Sequence, residues 1–347
     1  MADTTVLSPV NAPAAEKRAP DMRADGGQVL VAIPVYNEAA HIEACIRSLM
    51  RGDERLGDVA FVVVDGGSTD ETARIVNDLA HEFPNLSLIG NPKRLQSAAI
   101  NLAAREAGQG RTVLVRCDAH SIYPANYVMS VADSLVSRGV ASVVVPMDAV
   151  GKTGFQLANA WIVDTPLGSG GSAHRGGRKS MFVDHGHHAG FDLAKFLEVG
   201  GYDETFSHNE DAEFDTRLRA AGGKIFLDAD IRLAYFPRAR AGALAKQYFN
   251  YGKGRARTIL KHGERPKLRQ LIPPATLVAC AAGLAAAPFT LWGLILPGGY
   301  LAALALASVS VAVKKKSPVG LMAGPASAIM HMSWSAGFFR QMARGQR

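Results

Sequence analysis

Cysteine is scarce: Cys45, Cys117 and Cys280 are the only three in 347 residues, and no two of them stand in a CxxC spacing. That excludes a disulfide framework and a cysteine-built zinc module, and it reads as reduced, buried thiols in a cytoplasmic protein. An apolar stretch of about 7 to 15 residues is missing near the start, so no secretory signal is expected there. Residues 1–27, rich in Ala, Pro and Asp, read instead as a disordered tail. The formal net charge is +7, yet neither a basic stripe with interleaved aromatics nor a helix-turn-helix pattern goes with it, so nucleic acid is not the expected partner. Phosphate-bearing substrates and anionic lipid headgroups account for the excess charge better.

What is present is apolar residue in quantity, 48% of the chain, enough for one large or two ordinary domains. Its distribution is uneven, because long runs with few charges are concentrated in residues 271–347. A soluble catalytic part over residues 28–270 followed by a membrane part is therefore expected. Within the first, VLVAIPVYN is an apolar, β-branched run ending at Asn37, and EAAHIEACIRSLM places Ile42, Cys45, Ile46 and Leu49 at helical spacing. VAFVVVDGG is a second strand, and STDETARIVNDLA opens a helix with Ser68 as N-cap and Glu71 three residues on. LSLIGNP, RLQSAAINLAAREA and TVLVRCDA continue as strand, helix and strand. This alternation predicts an α/β fold with a parallel sheet and right-handed crossovers.

Acidic residues stand where strands or turns should end: Asp65, Asp118 and the pair Glu210-Asp211. Ligands of such sheets bind outside the carboxyl ends of the strands, so these acids are expected to converge on one crevice. Asn37-Glu38 and Asp65 follow the first two strands, where a carboxylate accepts hydrogen bonds from a uracil N3–H or ribose hydroxyls; Asp65 before two glycines is also a turn residue. Lys93 and Arg94 either reach a diphosphate as point charge and fork or lie on a solvated surface.

The segments IPVYNEAAHIEACI, VVVDGGSTDET, NPKRLQSAAIN, VRCDAH and NEDAEF, in this order, resemble the family 2 glycosyltransferases. QYFNYGKGRAR and the apolar tail are similar to the bacterial succinoglycan-biosynthesis glucosyltransferases within that family. The resemblance implies a GT-A fold, Rossmann-like, with a mostly parallel twisted sheet, helices on both faces and a helical membrane hairpin after it. It implies nucleotide-sugar binding by Pro34, Tyr36, Asn37, Glu38, Asp65, Lys93 and Asp118. Asp118-Ala119-His120 stands at the family's DxD motif, which holds Mn²⁺ or Mg²⁺ against the donor's diphosphate. The second acid is replaced by His120; imidazole suits Mn²⁺ better than Mg²⁺, or the ring only caps the next turn. Asp211 takes the role of general base with Glu210 supporting it, although acids also cap helix starts such as DAEFDTRLRAAG. QYFNYGKGRAR lies at the family's QxxRW-like segment without its Trp, which weakens a processive polymer-synthase reading. Gln247, Tyr251 and Arg255, with Tyr248 and Lys253 beside them, either line an acceptor groove or anchor at an interface.

Between these motifs DTPLGSGGSAHRGGRKSMFVDHGHHAGF forms a Gly-rich basic loop beside the site. Asp184 is expected to point toward the acceptor; His185, His187 and His188 lack a second ligand pair for zinc. Residues 275–296 are long enough to span a bilayer, Pro297-Gly298-Gly299 reads as a tight turn, and a second span ends before Lys314-Lys315-Lys316. Basic flanks on both sides put the catalytic part in the cytoplasm, at a bacterial inner membrane. A third run, residues 318–339, either spans or lies re-entrant in the interface. The function expected is inverting transfer of a hexose, glucose by the resemblance, from a UDP-sugar to a polyprenyl-diphosphate-linked saccharide in exopolysaccharide synthesis, alongside other assembly enzymes. Transfer to polyprenyl phosphate itself and a catalytically silent membrane recruiter are the alternatives.

Overall fold

Alternation along β1 (Val29–Val35) sets the architecture: Val29, Val31, Ile33 and Val35 enter one core, Leu30 and Ala32 the other, as a two-residue period requires. The computed structural model describes residues 22–345. After β1 come α1 (Ile42–Leu49), β2 (Ala60–Asp65), α2 (Thr72–Glu82), β3 (Leu86–Gly90), α3 (Gln96–Glu106), β4 (Val113–Arg116) and α4 (Tyr127–Arg138). Short pieces follow: β5 (Ser142–Val144), β6 (Met147–Ala149), α5 (Gly154–Val163), the one-turn α6 (Pro166–Ser169), β7 (Met181–Val183), β8 (His188–Asp192), α7 (Leu193–Glu198), α8 (Glu210–Ala220), β9 (Ile225–Leu227) and β10 (Leu233–Tyr235). Four long helices end the chain: α9 (Ala241–His262), α10 (Leu268–Ala286), α11 (Ile295–Lys315) and α12 (Ala323–Arg344).

The main sheet has the order β3-β2-β1-β4-β8-β5-β9-β7. β1 is parallel to β2 and β4, β2 to β3, and β5 to β9, whereas β8 and β7 run antiparallel to their neighbours. Helices α1, α2 and α4 cover one face, and α3, α7 and α8 the other. The parallel ends of β1, β2 and β4 therefore open on the same edge, with Tyr36, Gly66 and Asp118 beyond them.

Local readings needed correction at three places. The tail expected over residues 1–27 lies outside the described residues as far as position 21, but Ala24 is buried and its amide donates to Asp133 Oδ1 at 2.7 Å. Ser68 does not cap α2: its amide and hydroxyl bond Asp65, so the helix starts later, at Thr72, whose amide donates to Asp70 Oδ1 at 3.0 Å. Pro297-Gly298-Gly299 makes no turn. Pro297 sits in the first turn of α11, where a missing N–H costs no helix bond, and the chain reverses between Ala286 and Leu291. Here Gly283 and Gly293 let the hairpin close, since a Cβ on Gly283 would stand 2.4 Å from Gly293 O.

Two helical stretches, Leu268–Ala286 and Leu291–Lys315, are long and apolar enough to cross a bilayer, and little of either is buried. The third run forms α12, which lies along α9 and buries Ala326, Met330 and Phe338. Two glycines permit that contact. A Cβ on Gly252 would lie 1.9 Å from Trp334 O, and one on Gly337 would lie 2.0 Å from Phe249 O. Gly337→Ala should therefore lower stability by about 1–3 kcal/mol through overpacking, read as thermal unfolding of the detergent-solubilised protein. Gly242→Ala, with nothing within 4 Å of the added Cβ, should leave it unchanged or raise it, and equal effects of the two would refute the close crossing.

Candidate active site

Beyond the strand ends lies a cavity of about 210 Å³ lined by Pro34, Tyr36, Glu38, Gly66, Asn91, Arg94, Gln96, Asp118 and His120. Four of the residues expected at a nucleotide sugar, Pro34, Tyr36, Glu38 and Asp118, thus share one wall. Asn37 and Asp65 shape its rim. Asn37, in the left-handed region at φ 55°, accepts from the Thr69 amide at 2.8 Å and donates its own amide to Ser68 Oγ at 2.9 Å. Asp65 holds Ser68 from the other side, Oδ1 accepting the hydroxyl at 2.6 Å and the amide at 3.0 Å. Lys93 departs from expectation: its ammonium sits on Glu204 at 2.5 Å, and the residue does not line the cavity. The next residue takes that position, because Arg94 is left-handed at φ 56° and swings its guanidinium beside Gly67.

β4 supplies the floor. Its alternation sends Val113, Val115 and Cys117 into one core and leaves Arg116 and Asp118 on the opposite side. Arg116 is buried, and its Nη1 donates to the Tyr202 hydroxyl at 3.0 Å. Tyr202 is itself locked in an aromatic cluster with Phe191, Phe196 and Phe214. The guanidinium then lies between two carboxylates, 3.7 Å from Asp118 Oδ1 and 3.6 Å from Glu210 Oε1, and its Nε has no hydrogen-bond partner. Burial pushes Glu210 above the ordinary carboxylate range against the pull of Arg116, and Asp211 adds to the push. Asp118 ends below that range: burial opposes ionisation, but Arg116 and His187 outweigh it.

Gln96 Nε2 donates to Asp118 Oδ1 at 3.0 Å. On the other side His187 Nε2 stands 3.9 Å from Asp118 Oδ2, and burial pulls this imidazole down to about 4, so it is neutral at pH 7. His120 is exposed, its Nδ1 3.4 Å from Glu38 Oε1. His185 turns away to Asp215, at 2.7 Å from Oδ2. Among the described residues no three of His, Cys, Asp and Glu gather closely enough to hold a cation alone. One acid flanked by a neutral imidazole nonetheless suits a divalent metal whose remaining ligands come from a diphosphate.

Asn209, left-handed at φ 66°, starts α8, and Glu210 and Asp211 occupy its first turn. The charge of Asp211 is felt by Arg116, His187, Tyr251 and Arg255, which places it between the floor and α9. Gln247, Tyr251 and Arg255 recur every fourth residue and so share one stripe of α9. Gln247 Nε2 donates to the hydroxyls of Tyr251 at 3.0 Å and Tyr235 at 3.2 Å, and burial pushes Tyr251 up to about 12. Glu213, also on α8, anchors α9 by accepting from Lys261 at 2.6 Å and pairing with His262 at 3.0 Å. Asp184 is not aimed at this stripe: it is exposed and ion-paired with Lys267 and, at 4.0 Å, Arg219.

The model of glycosyl transferase family 2 matches residues 30–200. The chain is 44% identical over 314 residues to the succinoglycan biosynthesis protein ExoA of Rhizobium meliloti (strain 1021), covering 90% of this chain and 94% of that one. The chain belongs to the family 2 glycosyltransferases. A second relative in Methanococcus voltae, a dolichyl N-acetyl-alpha-D-glucosaminyl phosphate 3-beta-D-2,3-diacetamido-2,3-dideoxy-beta-D-glucuronosyltransferase, is 23% identical over 334 residues and spans 91% of this chain and 98% of its own. The mannosyltransferase PcManGT from Pyrobaculum calidifontis, solved with GDP-Man and Mn²⁺, superposes with a TM-score of 0.58 at 20% identity, over 94% of this chain and 91% of that one. That likeness, with the sheet described above, makes the fold GT-A.

Several residues of this glycosyltransferase's site escaped the sequence reading, Asn91 and Gln96 of the cavity lining among them, and two more, Arg116 and His187, beside Asp118. A signal for Arg116 exists, because a charge inside the apolar run VLVRC, two residues before Asp118, must share that acid's face of the strand. For His187 there is none, since its approach to Asp118 depends on β8 lying antiparallel beside β4.

Proposed function

We propose that this glycosyltransferase moves a hexose, glucose by the resemblance read from its motifs, from a UDP-sugar to a polyprenyl-diphosphate-linked saccharide in exopolysaccharide synthesis, the pathway supported by the 44% identity to a succinoglycan biosynthesis protein. The observation that carries the reading is the bracketing of Arg116 by Asp118 on the cavity side and Glu210, next to Asp211, on the side of α9. One carboxylate thus faces the donor and another the acceptor. In this reading Pro34, Tyr36, Glu38 and Arg94 hold the nucleotide, while Asn37 and Asp65 shape the loop beneath it. Asp118, with His187 or His120, would hold Mn²⁺ or Mg²⁺. The metal would neutralise charge developing on the diphosphate.

The acceptor hydroxyl attacks C1 of the sugar on the face opposite the diphosphate, the C1–O bond to UDP breaks, and Asp211 takes the hydroxyl proton. Arg116 keeps Glu210 and Asp118 in place on either side of the reacting centre. Gln247, Tyr251 and Arg255 orient the acceptor along α9. A lipid-linked acceptor is supported by the two apolar helices that follow α9 in the chain and by the name of the relative from Methanococcus voltae, which specifies a dolichyl-linked sugar. With the hairpin in a bacterial inner membrane, basic residues at both its ends favour a cytoplasmic catalytic part.

The test is transfer of labelled sugar from UDP-glucose, other UDP-sugars and GDP-mannose to lipid extracts in the presence of Mn²⁺. An organic-soluble labelled saccharide from a UDP-sugar is expected. A product carrying one sugar on polyprenyl phosphate would replace the saccharide acceptor with the bare lipid phosphate, and no transfer from any donor would leave a recruiting role.

A further inference from the structure

The polar contacts of the apolar hairpin limit how far it can reach into a bilayer. Tyr300 lies in the first half of α11, inside the second stretch long enough to cross. Its hydroxyl stands 3.1 Å from His331 Nδ1 on α12, and His331 Nε2 stands 2.7 Å from the Leu167 carbonyl in α6. A carbonyl only accepts, so Nε2 carries the proton and Nδ1 accepts from the tyrosine. Leu167 needs an outside donor because the carbonyls of a one-turn helix run out of partners within it. Two hydrogen bonds in series thus fasten α11 to the Gly-rich loop that follows α6.

From Tyr300 onward α11 stays against the protein. Ser308 Oγ accepts from the Gly324 amide at 2.8 Å, Val311 packs beside Ile162 and Val163 of α5, and the Lys315 ammonium lies 5.8 Å from the centre of the Trp161 ring. On the other limb Arg269, in the first turn of α10, meets the same loop, where a Cβ on Gly170 would stand 3.9 Å from its own Cβ. That loop cannot enter hydrocarbon, since residues 170–180 form neither helix nor strand and carry Arg175, Arg178 and Lys179. The bilayer surface therefore lies outside it, and only the far end of the hairpin is left to go in. At a rise of 1.5 Å per residue, about 14 Å separates Tyr300 from Leu291 and about 26 Å separates Arg269 from Ala286. A hydrocarbon core is about 30 Å thick, so the shorter limb reaches about half-way. The far end is apolar and uncovered, with Phe289, Leu291 and Trp292 exposed by 89%, 80% and 78%.

We propose that the hairpin of α10 and α11 does not cross the membrane but enters the acyl layer of one leaflet, the leaflet on the side of the catalytic part, with Phe289, Leu291 and Trp292 near the bilayer centre. Length and composition alone allow a span; the contact through His331 shortens the reach. The basic residues at both ends, Arg265 and Lys267 before α10 and Lys314, Lys315 and Lys316 after the apolar part of α11, then meet headgroups of that same leaflet. This topology is independent of the sugar and the acceptor proposed above.

The test uses the full chain in vesicles of phosphatidylcholine and phosphatidylglycerol, containing lipids with a nitroxide quencher either at the headgroup or at the end of an acyl chain. Subtracting the fluorescence of Trp292→Phe from that of wild type isolates Trp292, and equal circular dichroism of the two proteins checks folding. The chain-end label should quench Trp292 roughly twofold or more beyond the headgroup label, because the two lie most of a leaflet apart, about 15 Å. Stronger quenching by the headgroup label would overturn the proposal, since a spanning hairpin carries Trp292 to the far surface and a flat one leaves it at the near surface. Quenching by neither would place the residue outside lipid and overturn it as well. Thr290→Cys, at an exposed position beside that end, is the second variant. Its added thiol should resist a membrane-impermeant maleimide in vesicles of either orientation, with the reaction of Cys45, Cys117 and Cys280 in wild type subtracted and Lys314→Cys as the labelled control. Labelling of Thr290→Cys from either side would refute burial in one leaflet, and labelling from the side opposite Lys314→Cys would show a span.

Discussion

Asp211→Asn is expected to reduce turnover by roughly 10²–10⁴-fold, the contribution of a positioned general base, while UDP affinity stays within about twofold of wild type. The substitution keeps shape and volume, and Asp211 Oδ1 accepts from the Ala212 amide at 2.8 Å, an acceptor that the amide oxygen of Asn also provides. What is lost is the capacity to take a proton. Glu210→Gln should cost less, because Glu210 is buried against Arg116. Initial rates with labelled donor, alongside UDP titration, decide between the two acids. A variant at position 211 that kept more than about a tenth of wild-type turnover would remove it from the role of base.

Asp118→Ala is expected to lower turnover by on the order of 10²–10³-fold, the scale of losing one preorganised electrostatic contact to the developing charge. It should also abolish the dependence of UDP affinity on Mn²⁺. Titrating UDP calorimetrically with and without Mn²⁺ measures this without turnover. His187→Ala and His120→Ala, run together, assign the imidazole: the one facing Asp118 at 3.9 Å should weaken the Mn²⁺ effect more than the exposed one. If the Mn²⁺ effect on UDP persisted in Asp118→Ala, the metal would have to be held by other groups.

Much of this site was legible in the chain because its chemistry follows strand ends. Period-two runs closing on Tyr36, Asp65 and Asp118 can only deliver those residues to one edge of a parallel sheet. The place of Asp211 in the first turn of α8 was legible for a similar reason, since a run of acids marks the start of a helix. Lys93 and Asp184 were misplaced because long or exposed side chains follow whichever counter-charge folds nearby: Glu204 draws Lys93, and Lys267 draws Asp184. The capping pattern at Ser68 failed when a closer acceptor, Asp65, took its hydroxyl.

By itself the sequence determined the alternating α/β architecture, the order of the acidic sites and the apolar character of the end of the chain, since each depends on local period and composition. Tertiary structure alone decided which groups meet. β8 brings His187 to Asp118 by running antiparallel beside β4. α8 turns Glu210 onto Arg116, and Gly252 and Gly337 let α12 lie closely on α9. Those contacts join residues far apart in the chain, and side chains become neighbours there only when backbones have packed closely enough.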